Sequence, residues 1–196
     1  MILRSIALFF ILALSACGSP PIRYYTLMPT APEQRQVMNA PSIQFEMLDV
    51  RVPMQVDQPQ IVVRKSADGL MLLESARWSA PLADEFHDAV AGQLELKLGG
   101  RNITGFTKTT NTPLILVQLD IRRFDSLLGN YALVDAVWSL SKHGEGNKLF
   151  NITCASVMRE PAGLTLDTLV LAHQRNIGHL ANDIAQASKT WTCPTL

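Results

Sequence analysis

The sequence predicts an α+β fold, a largely antiparallel sheet with two helices packed on one face, in a single domain. Three observations carry this. Strand-like runs dominate, and several are joined by short glycine-bearing turns of the hairpin kind. Beyond the apolar leader, two segments change to a period of three and four. The order is strands, helix, strands, helix, which suits helices gathered on one face of a sheet. About 180 residues remain beyond the leader, enough for one core and marginal for two.

Each element has its own signal. Tyr24-Tyr25-Thr26-Leu27 has the aromatic and β-branched character of a short strand. Residues 29–41 are polar and proline-bearing, hence a loop. In residues 42–52, Ile43, Phe45 and Met47 share one parity before Leu48, Val50 and Val52 take the other, so a bulge or bend is expected between them. Residues 61–65 and 70–73 flank Asp68-Gly69, a hairpin signal.

The first helix follows, with Leu82, Phe86, Val90, Leu94 and Leu98 on one face. Ser79 is the expected N-cap, Pro81 sits in the first turn, and Gly99-Gly100 ends the helix. Strands are expected at 103–107, 114–124, 131–141 and 148–158. Alternation in the second places Val117, Leu119 and Ile121 opposite Gln118, Asp120 and Arg122. The segment KHGEGN should be a hairpin loop. A last helix over 169–191 carries the stripe Val170, His173, Ile177, Leu180, Ile184, Ala187 and Trp191. A satisfied histidine on that stripe is favoured over a catalytic one.

Charge narrows the partners. Seventeen basic residues balance seventeen acidic ones, and the basic ones are scattered singly or in pairs. No patch tracks a phosphate backbone, so no nucleic-acid partner is expected.

The leader decides the compartment. From Ser5 to Ala16 the chain is almost wholly apolar, preceded by one charge, Arg4. That run is too short for a bilayer core of ~30 Å, which needs ~20 helical residues, and it has the layout of a secretory signal. Leu14-Ser15-Ala16-Cys17 fits the lipobox of bacterial lipoproteins. There the thiol is diacylated and cleavage leaves the cysteine as the new N-terminus. A thioether forms only on a sulfur nucleophile, and the peptidase cleft admits only small side chains before it. The alternative is an ordinary cleaved signal with an incidental cysteine. Residues 1–16 are therefore expected to be a signal peptide, 17–22 a lipidated tether and 23–196 a periplasmic domain. Gly18, where an aspartate commonly retains lipoproteins at the inner membrane, favours the periplasmic face of the outer membrane, with Cys17 lipid holding the chain to it.

With Cys17 acylated, Cys154 and Cys193 remain. In an oxidising compartment an even pair is a candidate disulfide; two separate buried thiols are the other reading. The four histidines lack metal-ligand spacing, so neither metal nor cofactor is expected. No catalytic signature stands out: G-x-S-x-G is absent, and the glycines at 144 and 146 open no helix. Asp84, Glu85 and Asp88 lie in the first two turns of a helix, where they complement its dipole and face water. The residues argue for a tethered, non-catalytic domain.

Three segments extend that reading. YYTL shortly after the cysteine, PQIVVR at 59–64 and RWSAPL leading into the first helix resemble the PqiC/YmbA family of auxiliary lipoproteins. The order and spacing hold over most of the mature chain. The resemblance implies an α/β domain anchored in the outer membrane that partners an MCE-domain protein of an ABC-type transport system, with a role in lipid movement and membrane integrity. Carried onto this chain, Cys17 is the acylated residue, Tyr24 and Tyr25 match the opening strand, Arg64 closes the second motif, and Trp78, Pro81 and Leu82 match the start of the helix. Their implied roles are anchoring and packing. Self-association is left open, as is a rival role as an assembly lipoprotein for an outer-membrane barrel, like the lipopolysaccharide-assembly one. A periplasmic hydrolase is the third reading.

Overall fold

The computed structural model describes residues 20–30, 43–66, 68–108, 112–143 and 149–195. Among these residues eight strands and two helices follow in the order β1 (Arg23–Tyr25), β2 (Gln44–Met47), β3 (Gln60–Arg64), β4 (Leu70–Trp78), α1 (Leu82–Leu98), β5 (Arg101–Asn102), β6 (Leu114–Leu127), β7 (Tyr131–His143), β8 (Leu149–Pro161) and α2 (Leu166–Thr190).

The α+β class stands, but the single, largely antiparallel sheet does not. There are two mixed sheets, one of order β1-β4-β3 and one of order β5-β2-β6-β7-β8. β1 runs parallel to the end of β4, and β2 runs parallel to both β5 and β6. Hairpins are local and can be read from turns. Parallel neighbours need a long crossover, and between β2 and β6 that crossover contains the β3–β4 hairpin and α1. The hairpins themselves are where the turns place them. β3 and β4 pair antiparallel around Asp68-Gly69, where Lys65 N–H donates to Gly69 O at 2.9 Å. β6, β7 and β8 pair antiparallel in series. Residues 144–148, which hold most of the KHGEGN turn and the first residue of the strand expected at 148–158, lie outside the described residues.

The parity change in residues 42–52 appears as a strand that stops at Met47. The chain then continues along β6 by bonds from Leu48 N–H to Val117 O and from Arg51 N–H to Leu119 O. The strand expected at 103–107 is not there; β5 lies just before it, at Arg101–Asn102, because the Asn102 and Thr104 side chains turn the chain back onto Met47. Thr104 Oγ1 accepts from Met47 N–H and donates to Met47 O, both at 3.0 Å.

Helix α1 begins at Leu82, and Pro81 occupies its cap position without a side-chain cap bond. Ser79 is thus not the N-cap; its hydroxyl donates instead to Glu85 Oε1. Gly99 ends α1 in the left-handed conformation, φ 61°, which glycine adopts without a Cβ penalty. Helix α2 is capped by Thr165, whose hydroxyl accepts from Thr168 N–H. Its stripe Val170, His173, Ile177, Leu180, Ile184 and Ala187 is buried, while Trp191 is the left-handed C-cap and half-buried. α2 lies along β7 and β8, and α1 packs against α2.

Phe124 on β6 is where these layers meet. Its ring lies 5.9 Å from Trp78 on β4, 5.3 Å from Phe86 on α1 and 4.1 Å from His173 on α2. Offset and edge-on aromatic contacts at such separations add to the area they bury.

Candidate functional site

The segment just after β1 is fastened by a buried carboxylate. Glu85 is 4% exposed and accepts from Leu27 N–H and Thr26 Oγ1, each at 2.7 Å, and from the Ser79 hydroxyl. This corrects the water-facing reading of Glu85. One turn of helix places it toward the incoming strand rather than toward solvent, and three donors offset the cost of burying its charge. Gln174 on α2 adds donors to Thr26 O and Met28 O, and Arg23 pairs with Asp167 at 2.9 Å. Residues 23–28 are thus tied to both helices.

The residues singled out by sequence separate into two groups. Tyr25 is buried beside Arg23, and Trp78 and Leu82 are in the core, with Phe124 between Trp78 and Phe86. Burial, with Asp167 nearby, pushes the Tyr25 phenol up from its ordinary value. Tyr24 and Pro81 are exposed. Cys17 lies outside the described residues.

Arg64 closes an ion cluster that sequence reading did not assemble. Its Nε donates to both oxygens of Asp125, at 2.9 and 3.1 Å. Arg123 Nη2 donates to Asp125 Oδ2 at 2.6 Å, and the Tyr131 hydroxyl does so at 2.9 Å. Burial pushes the Asp125 carboxyl up, but the bonds from Arg64, Arg123 and Tyr131 outweigh it and hold the group below the usual carboxylate range. The signal available in sequence was the pair Arg122-Arg123, which interrupts the alternation of β6. The β6–β7 register shifts between Ile121 and Arg123, so Arg122 is the extra residue of a bulge.

His173 is 1% exposed and pairs with Ser126 Oγ through Nε2 at 2.8 Å. Burial pushes its pKa down to about 3, against the opposing pull of Asp125, so the ring is neutral. Beside it, Asn176 Nδ2 donates to Ala132 O at 3.0 Å, and farther along α2 Asp183 accepts from Ser156 at 2.7 Å. These polar contacts set the register of α2 on the sheet.

Cys154 and Cys193 are joined as a disulfide, with Cα atoms 5.5 Å apart and a sequence separation of 39. It ties the segment after α2 to the middle of β8, an edge strand. Closing a loop of that length should contribute roughly 3–4 kcal/mol in the chain-entropy treatment. Cys193→Ser should therefore lower the urea midpoint, and a reductant should shift the parent to the variant's value without changing the variant. Two free thiols in exported protein, read by non-reducing mass spectrometry, would remove the staple.

Among the described residues no group of three or more His, Cys, Asp or Glu could hold a metal ion. No helix among them is long and apolar enough to cross a membrane.

The fold and these contacts define a class, an α+β domain whose first strand and the residues just after it are locked to both helices. The chain belongs to the family of ABC-type transport auxiliary lipoprotein components, which matches residues 25–185. No curated relative matches the chain. Among solved structures, it is similar to an uncharacterized protein at 13% identity and TM-score 0.62, covering 86% of this chain and 99% of that one. It is also similar to a Xanthomonas campestris protein at 14% identity and TM-score 0.54, covering 87% and 100%. At such identities the likeness concerns the fold.

Proposed function

We propose that this protein is a non-catalytic accessory subunit of an ABC-type transport system, held by an acylated Cys17 at the periplasmic face of the outer membrane. In this reading it partners an MCE-domain protein and supports lipid movement between membranes. The observation that carries it is the family match beginning at residue 25, eight residues after the lipobox cysteine. The fastened first strand supports it too. A domain pulled by a lipid anchor bears load where its chain enters, and here that strand is tied through Asp167 and the residues just after it through Glu85 and Gln174.

Two measurements test the reading. Cys17→Ala should abolish labelled palmitate incorporation and leave precursor or mislocalised protein; label still entering the variant would refute the anchor. Affinity purification from crosslinked envelopes should recover an MCE-domain protein. Recovery of an outer-membrane barrel in its place would favour the assembly reading.

A further inference from the structure

A cleft of about 290 Å³ opens beside the Asp125 cluster, lined by Arg64, Arg122, Arg123, Asp125 and Asp135. We infer that this cleft is a binding site for a phosphate-type oxyanion. The inference goes beyond the proposed function and does not depend on the Cys17 anchor.

The first support is how the arginines are aimed. Successive residues of a regular strand point to opposite faces. The bulge at Arg122 breaks that rule, and Arg122 and Arg123 both line the same cleft. Bulges commonly re-aim side chains at sites of this kind. The second is preorganisation. Asp125 is 4% exposed and grips Arg64 and Arg123 from below, so these two long side chains are ordered before any ligand arrives. Ordering such a side chain on binding would otherwise cost affinity. Arg123 remains half exposed, and Arg122 is 57% exposed with its nearest carboxylate, Asp120, at 3.5 Å.

Charge and shape then select the ligand. Asp120 is shared by Arg51 and Arg122, each at 3.5 Å, so with Arg64, Arg123, Asp125 and Asp135 four guanidiniums face three carboxylates, and Asp125 is occupied by Arg64, Arg123 and the Tyr131 hydroxyl. The excess is positive. Arginines from β3 and from adjacent positions of β6 line one cleft, and a tetrahedral oxyanion can accept from more directions than a planar carboxylate. Guanidiniums supply forked donors for such a group. Val56, Val62 and Leu70 form the apolar part of the wall, and exposed Leu72, opposite Val62 on the same face of β4, continues from Leu70. A phosphate carrying an apolar substituent would use both parts.

The test is nitrogen-15 NMR of arginine side chains in the mature full chain held in nonionic detergent. One arm titrates inorganic phosphate and glycerol phosphate; the other adds phosphatidylglycerol to the micelles, with phosphatidylcholine as a control of equal apolar content. Arg122 and Arg123 resonances should shift saturably with phosphate or phosphatidylglycerol. Arg122→Gln, which leaves the Asp125 bonds intact, should weaken binding at least tenfold. Stronger binding of phosphatidylglycerol than of glycerol phosphate identifies a lipid headgroup as the source; equal binding identifies the free anion. Absence of saturable shifts in both arms, or unchanged affinity in a folded Arg122→Gln protein, overturns the site.

Discussion

Trp78→Ala should destabilise the domain by about 3–5 kcal/mol, the range for truncating a buried aromatic. That is a large share of the ~5–15 kcal/mol by which domains are stable. Trp78 is 4% exposed and packs on Phe124, the ring that also touches Phe86 and His173. The void would open where β4, β6, α1 and α2 converge, so no single element can move to fill it. Trp78→Phe, which keeps an aromatic ring, should lose distinctly less. Urea unfolding followed by far-ultraviolet circular dichroism measures both. An unchanged midpoint for the alanine variant would contradict the burial of Trp78 and point to a partner-binding role.

Acid should weaken the fold through His173, well above the pH at which carboxylates protonate. Its folded pKa lies at about 3 because burial disfavours the imidazolium. In the unfolded chain the value is about 6.5. A depressed folded pKa means that the unfolded state binds the extra proton, so stability is complete above about 6.5 and declines as pH falls toward 3. The slope approaches ~1.4 kcal/mol per pH unit within that window. Asp125 acts with the same sign, but only below about 3.9, where unfolded aspartate protonates. Between pH 6 and 4 the histidine term is therefore separable. A double variant, His173→Leu with Ser126→Ala, removes the imidazole without stranding the Ser126 hydroxyl and should show a flatter pH profile. Parallel profiles for parent and variant would clear His173 of the effect.

Both expectations depend on neighbours that no stretch of sequence announces. The hairpin at Asp68-Gly69, the stop at Gly99 and the stripe of α2 were legible because each is settled within a few residues by turn geometry or helical period. Glu85 was misread for the same reason. At the start of α1 a carboxylate complements the dipole wherever it points, and only the path of residues 25–27 reveals that it points inward. Ser79 was likewise assigned a cap it does not make, since its hydroxyl is drawn to Glu85. The Arg64–Asp125 contact spans 61 residues, which puts it beyond any local pattern.

What followed from sequence is therefore the α+β class, the hairpins, both helices, the lipobox reading and the family resemblance. All of these rest on short-range periodicity or on contiguous motifs. The parallel pairing of β2 with β5 and β6, the meeting of four aromatic and imidazole rings at Phe124, and the bulge-aimed arginines over Asp125 were decided by tertiary structure. The physical reason is that strand order and charge pairing are chosen by long-range burial. Residues far apart in the chain compete for the same partners, and the winner is set by which arrangement leaves the fewest apolar surfaces wet and the fewest buried charges unpaired.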